Sequence, residues 1–184
     1  MKKLNLQEEL KRIHEISGNK SQLNENFIDD ILTFLGLKGK DSKDDKKPID
    51  VSGITDKNVY EKILEGIGAK PTPENMKFMY AWRQSEGKAG RYNPFNTTQP
   101  MPGATNFNKV GVKHYQSLED GVKATVKTLL NGYYPCIVNG LRNDIGADKI
   151  AKCDSLKTWG TGDLVSKVVD GYNKGAKPNI SSLA

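Results

Sequence analysis

Between Gly87 and Leu118 the chain has no aspartate or glutamate. Histidine is scarce as well, with His14 and His114 as the two in the chain. A Ser-His-Asp or Cys-His arrangement is therefore poorly supplied. The two cysteines, Cys136 and Cys153, are 17 positions apart. That spacing matches no CxxC or Cys/His metal pattern, so two ordinary thiols are expected, with a single disulfide as the other reading. No metal site and no cofactor are expected. Long apolar runs are missing too. No stretch approaches the roughly 18 apolar residues of a membrane span, and "MKKLNLQEELKRIHEIS" lacks the apolar core of a secretory signal. "GTGD" at 160–163 follows no strand-like run and is too short for a phosphate-cradling loop.

What is present is a soluble, polar composition of 184 residues with 27% charged side chains and a net charge of +6. Residues 1–50 hold 10 Lys+Arg against 10 Asp+Glu, whereas residues 51–184 hold 18 against 12 and carry the whole excess. A basic domain favours an anionic partner such as nucleic acid, a membrane surface or cell-wall polymer. Its lysines are scattered and no nucleic-acid-reading motif accompanies them, so neither nucleic acid nor membrane is expected as the partner.

Helical spacing in residues 4–16 and 25–37 predicts two short amphipathic helices in an N-terminal segment, 1–37. "KGKDSKDDKKPID" then has one isoleucine in thirteen residues. It reads as a flexible charged linker, residues 38–53, ahead of a domain spanning 54–184. In that domain Val59, Tyr60, Ile63, Leu64 and Ile67 share a helix face. Thr72 and Pro73 mark the start of a second helix, with Met76, Met79, Tyr80 and Arg83 at helical spacing and Gly87 ending it. Those methionines and aromatics read as core. Residues 88–116 are irregular, with one short strand suggested by the alternation of Val110, Val112 and His114. Ser117 and Asp120 open a central helix over "SLEDGVKATVKTLLNG". "YYPCIVNGLRN", "GADKIAKC" and "DLVSKVVDGYNKG" supply further short helices. The fold class is mainly α (α+β), with a small extended excursion after Glu86.

Glu86 is the residue with chemical promise. It stands at the negative end of a helix dipole, where a carboxylate is disfavoured, and Trp82 lies one turn before it. A carboxyl group buried against such a wall holds its proton toward neutral pH. That is what protonation of a glycosidic oxygen requires. The facing loop offers neutral hydrogen-bonding groups suited to sugars, Asn93, Asn96, Thr97, Thr98, Gln99, Asn106 and Asn108. Tyr92, Phe95, Phe107 and Tyr115 are aromatics suited to stacking on sugar rings. The plainer reading is a solvated glutamate at a helix end.

The string "SEGKAGRYNPFNTTQ…GATNFNKVGVKHYQSLEDGVKATVKTLLNGYY", with "WGTG" at 159–162, resembles phage-encoded peptidoglycan-degrading domains of the lysozyme-like superfamily. Goose-type lysozymes and lytic transglycosylases belong there. The likeness covers about residues 55–165. It implies a lysozyme-like helical domain cleaving the MurNAc–GlcNAc β-1,4 bond, with Glu86 as the catalytic acid. Asn93, Thr97, Thr98, Gln99, Phe107, Asn108, Tyr115 and Trp159 are the implied substrate-binding positions, Trp159 walling the groove and Tyr115 bonding a substrate carbonyl.

With no acid in 87–118, either the substrate's own N-acetyl and 6-hydroxyl groups complete a lytic transglycosylation, or Glu119 or Asp120 positions a water for hydrolysis. Both of those acids also read as helix-start residues. The alternative class is a noncatalytic glycan-binding or virion structural protein. Residues 1–37 resemble short leaders of phage structural proteins, and "IHE" and "LNE" fit a loose prohead-protease pattern. The implied partners are bacterial peptidoglycan and, through residues 1–37, phage tail or capsid proteins. The implied state is a monomer, located in the virion or in host cytoplasm before release to the wall.

Overall fold

The computed structural model describes residues 53–180, 182 and 183. They belong to one compact unit of the chain. The two expected N-terminal helices and all of the expected linker but Gly53 lie outside the described residues.

The described chain is mostly helical with one small antiparallel sheet, as its composition and periodicity predict. The order is α1 (Val59–Gly66), α2 (Pro73–Ser85), β1 (Thr105–Asn106), β2 (Lys113–His114), α3 (Leu118–Leu129), α4 (Pro135–Arg142), α5 (Ala147–Ile150), α6 (Ser155–Trp159) and α7 (Leu164–Asn173). In the sheet Thr105 pairs with His114 and Asn106 with Lys113.

Local chemistry sets the helix starts. Thr72 Oγ1 accepts from Asn75 N at 3.2 Å ahead of Pro73, and Ser117 Oγ accepts from Asp120 N at 3.2 Å. Each satisfies one of the donors that a helix start leaves unpaired. The expected face of α1 is buried throughout, Val59, Tyr60, Ile63 and Leu64 together with Ile67 beyond its end. On α2 burial is broader than the expected stripe. Phe78, Ala81 and Trp82 join Met79 and Arg83, while Met76 and Tyr80 are half-buried.

The predicted central helix forms as α3 and packs on α1 and α4, but α2 has more helical neighbours, α7 above all and also α5 and α1. The core joins these faces through Ile63, Phe78, Trp82, Phe95, Val122, Leu129, Ile137 and Val169. At about 1.5–3 kcal/mol for each large side chain removed from water, this burial is the main force holding α2 in place.

The strand expected from Val110, Val112 and His114 is shorter than its alternation suggests. Val110 is 79% exposed. The reason is a turn: Asn108 Oδ1 accepts from Val110 N and Val112 N at 3.2 and 3.1 Å, and Gly111 has φ +92°. A side chain capturing backbone donors in this way takes them out of a ladder.

A short helix, α6, also forms where none was expected. The cysteines depart from expectation in the same region. Cys136, in α4, and Cys153, just before α6, form a disulfide with Cα atoms 6.1 Å apart, so they are not the two thiols expected. Folding brings α4 and the α5–α6 turn together, which sequence spacing does not reveal.

Candidate active site

The last turn of α2 delivers Glu86 as the helix C-cap, still in αR geometry at φ −70° and ψ −18°. Gly87 follows at φ +64°, a conformation only glycine enters readily, and turns the chain away. Arg83, almost wholly buried, reaches along the helix so that Nη1 donates to the Gly87 carbonyl at 2.8 Å. The helix end is fixed by its own preceding turn.

Around the carboxyl the fold assembles an aromatic wall. Trp82 is fully buried and packs on Phe95 at 4.4 Å and on Trp159 at 4.8 Å between ring centroids. Tyr134 extends the group, 4.8 Å from Trp159. Trp159 Nε1 donates to the Phe95 carbonyl at 3.2 Å, tying α6 to the loop after α2. Trp82, Thr161 and Asn96 all bear on the carboxyl. Trp82 Nε1 lies 3.0 Å from Glu86 Oε1, and Thr161 Oγ1 lies 3.2 Å from the same oxygen.

Burial against this wall pushes the Glu86 pKa up to about 7, over the lowering influence of the Thr161, Trp82 and Asn96 hydrogen bonds and of the Arg83 charge. Desolvation wins because the carboxylate would face an aromatic wall with a few donors, not a full solvation shell. A carboxyl group in this state keeps a proton that it can release at neutral pH, which is the requirement for a general acid.

The loop after Glu86 sits close to the helices because two glycines allow it. A Cβ on Gly121 of α3 would collide with the Tyr92 carbonyl oxygen, and one on Gly90 with the Lys113 carbonyl oxygen. Asn96, at φ +54°, bridges the loop. Its Nδ2 donates to the carbonyls of Glu86 at 3.4 Å and Lys88 at 3.1 Å, while Oδ1 accepts from Gly90 N at 3.1 Å.

The other positions singled out in the sequence divide into two groups. Asn93 is fully buried, its Nδ2 donating to the Thr97 and Lys113 carbonyls at 2.9 and 2.8 Å and its Oδ1 accepting from Thr97 N at 2.9 Å. Thr97 and Tyr115 are buried beside it. Their hydroxyls lie 3.2 Å apart, and Tyr115 donates to the Gln99 carbonyl at 2.8 Å. These side chains hold the loop together from inside. Phe95, proposed for sugar stacking, is likewise fully buried in the core.

Thr98 and Asn108 are exposed, and Gln99 and Phe107 are half-buried. Asn108 is engaged with its own turn, and the Phe107 ring lies 5.1 Å from the His114 ring. Glu119 and Asp120 occupy the first turn of α3, and neither bonds to Glu86. Of the positions singled out, Phe95, Asn96 and Trp159 are brought to the Trp82–Glu86 pair, Phe95 and Trp159 against the Trp82 ring and Asn96 on Glu86 itself.

Thr161 was not singled out as a site residue, although it stands inside the "WGTG" string. Its hydroxyl acts across 75 positions of sequence. Among the described residues no group of three or more His, Cys, Asp or Glu is placed to hold a metal ion. No described helix is long and apolar enough to cross a membrane. In comparisons with known proteins, no family model, no curated sequence and no solved structure matches the chain.

Proposed function

We propose that residues 54–184 form a lysozyme-like muramidase that cleaves the MurNAc–GlcNAc β-1,4 bond of peptidoglycan, with Glu86 as general acid. The observation that carries this reading is the sheltered carboxyl itself. It lies against Trp82, itself packed on Trp159, is bonded by Trp82 and Thr161, and has a pKa raised to about 7. The family likeness of the string from Ser85 to Tyr134 points to the same residue.

In the reaction, Glu86 gives its proton to the glycosidic oxygen as the C1–O bond breaks and the electron pair leaves with that oxygen. Glu86, now a carboxylate, then takes a proton from the incoming nucleophile. That nucleophile is either a water or the muramic acid 6-hydroxyl, which closes a 1,6-anhydro ring. The second route needs one protein carboxylate. It suits a site whose following loop has none and where the two acids considered for a second role, Glu119 and Asp120, sit at a helix start where they favour the dipole.

The test is turnover of purified peptidoglycan by the full chain. Wild-type protein is expected to release muropeptides, and Glu86→Gln to release none while remaining folded. Mass spectrometry of the ends separates anhydro products from reducing ones. No release by wild-type protein would refute the proposal.

A further inference from the structure

Thr161, which bonds to the acid, hangs on α6, and α6 hangs on a covalent link. Thr161 N donates to the Leu156 carbonyl at 3.1 Å, and Leu156 N donates in turn to the Cys153 carbonyl at 3.0 Å. Cys153 is bridged to Cys136 of α4. On the other side of the bridge Tyr134, two residues before Cys136, packs on Trp159 with 4.8 Å between ring centroids. The flanks of both half-cystines thus meet on the aromatic wall of the acid.

α6 has five residues. A helix this short does not stand in water without tertiary support. Its main helical neighbour is α4, the element at the other end of the bridge. Cys153 is half-buried and Cys136 exposed, so a small thiol can reach the bridge.

We propose that the Cys136–Cys153 bridge is a redox latch on the acid site, holding Trp159 and Thr161 in place when closed and releasing them when reduced. The assignment rests on the muramidase reading of Glu86 and names a regulation of that site. Closing the latch needs an oxidant, and a small-molecule disulfide such as glutathione disulfide is of the right class. One cysteine thiolate attacks that disulfide and expels a thiolate. The second attacks the mixed disulfide at the protein sulfur and expels another. One S–S bond forms in the protein and one breaks in the oxidant, which takes up two electrons, and the two cysteine protons end on its two thiols. In a compartment rich in reduced thiols the exchange runs the other way and the site loosens.

An open latch admits water beside Glu86. Loss of the Thr161 hydrogen bond raises the pKa of the acid, while loss of burial lowers it. Burial is the larger influence, so the pKa falls. The charge bearing on Glu86 is that of Arg83 on its own helix, whereas Asn96 from the loop and Thr161 after α6 present neutral groups. Tyr134, its hydroxyl pKa raised by burial, is neutral as well.

The experiment follows peptidoglycan turnover by the full chain from pH 5 to pH 8, with the bridge closed and after reduction by dithiothreitol. A fall of about one unit in the Glu86 pKa leaves about one acid in eleven protonated at pH 7, instead of about half. Reduction is therefore expected to cost about fivefold in rate at pH 7, about ninefold at pH 8 and almost nothing at pH 5. Cys136→Ala/Cys153→Ala is expected to match the reduced chain and to ignore dithiothreitol, and the reduced wild-type chain to recover in glutathione disulfide. An unchanged rate on reduction overturns the proposal, and so does a loss equal at every pH, which marks a smaller folded fraction. A bridged chain that cleaves nothing at any pH refutes the muramidase reading instead. The latch is then judged by NMR titration of the Glu86 carboxyl. A pKa lower by about one unit after reduction supports it, and an unmoved one overturns it.

Discussion

Glu86→Gln replaces the sheltered carboxyl with a neutral group of the same shape, whose Oε1 still accepts from Trp82 Nε1 and Thr161 Oγ1. In the native chain burial raises the pKa of this group from 4.5 to about 7. A group whose proton affinity rises on folding stabilises the fold below its unfolded pKa. That contribution is lost as pH climbs through the folded pKa. Glu86 therefore carries no penalty at pH 4 and its full penalty at pH 8. At about 1.4 kcal/mol per tenfold change in proton affinity, the displacement amounts to about 3 kcal/mol, and residual solvent access to the half-buried group brings it nearer to about 2 kcal/mol. Glutamine escapes that penalty. At about 3–4 °C per kcal/mol for a domain of this size, the variant is expected to melt about 6–8 °C above wild type at pH 8, and level with it at pH 4. Peptidoglycan turnover is expected to vanish in the same variant. Calorimetry or circular dichroism across pH 4–8 measures the first effect. Melting curves that stay parallel across that range, or a variant less stable at pH 8, would refute the reasoning about burial.

Thr161→Val removes a hydrogen bond that favours the charged carboxylate, so the Glu86 pKa is expected to rise further. The alkaline limb of the pH–rate profile then moves up by about one pH unit, and an unmoved limb would show that Thr161 does not govern the proton. Gly121→Ala puts a methyl group against the Tyr92 carbonyl oxygen. It is expected to cost about 2–4 kcal/mol in denaturant unfolding; a near-neutral result would mean that the loop does not lie on α3 as described. Reducing the Cys136–Cys153 bridge, or replacing both cysteines by serine, is expected to lower stability by about 2–3 kcal/mol. Melts with and without reductant read this directly, and identical curves would show that the bridge constrains little.

Much of the helical framework was legible in the residues because it depends on neighbours in sequence. Thr72 and Pro73 mark where α2 begins, Gly87 where it must stop, and Trp82 lies one turn from Glu86 on any helix. The partners of Glu86 that come from elsewhere were not legible. Thr161 reaches it, and Trp159 reaches its Trp82 wall, only through the packing of α6 beside the loop after α2, which no periodicity encodes. The bridge between Cys136 and Cys153 was hidden for the same reason.

The loop misled in a different way. Asn93, Thr97 and Tyr115 have the chemistry of ligand-binding groups, yet they are turned inward. A segment with so little regular structure must satisfy its buried peptide groups with side chains. Polar residues in such a loop serve the chain before they serve a ligand, and Asn108 likewise takes the Val110 and Val112 N–H groups into a turn where a strand was expected.

Trp82 dries the acid with its ring and steadies the charged form with its N–H, so dryness and proton affinity cannot be adjusted independently through that side chain. Thr161 bonds to the acid through its hydroxyl. Anyone retuning the working pH of this molecule would start at the threonine and leave the tryptophan untouched.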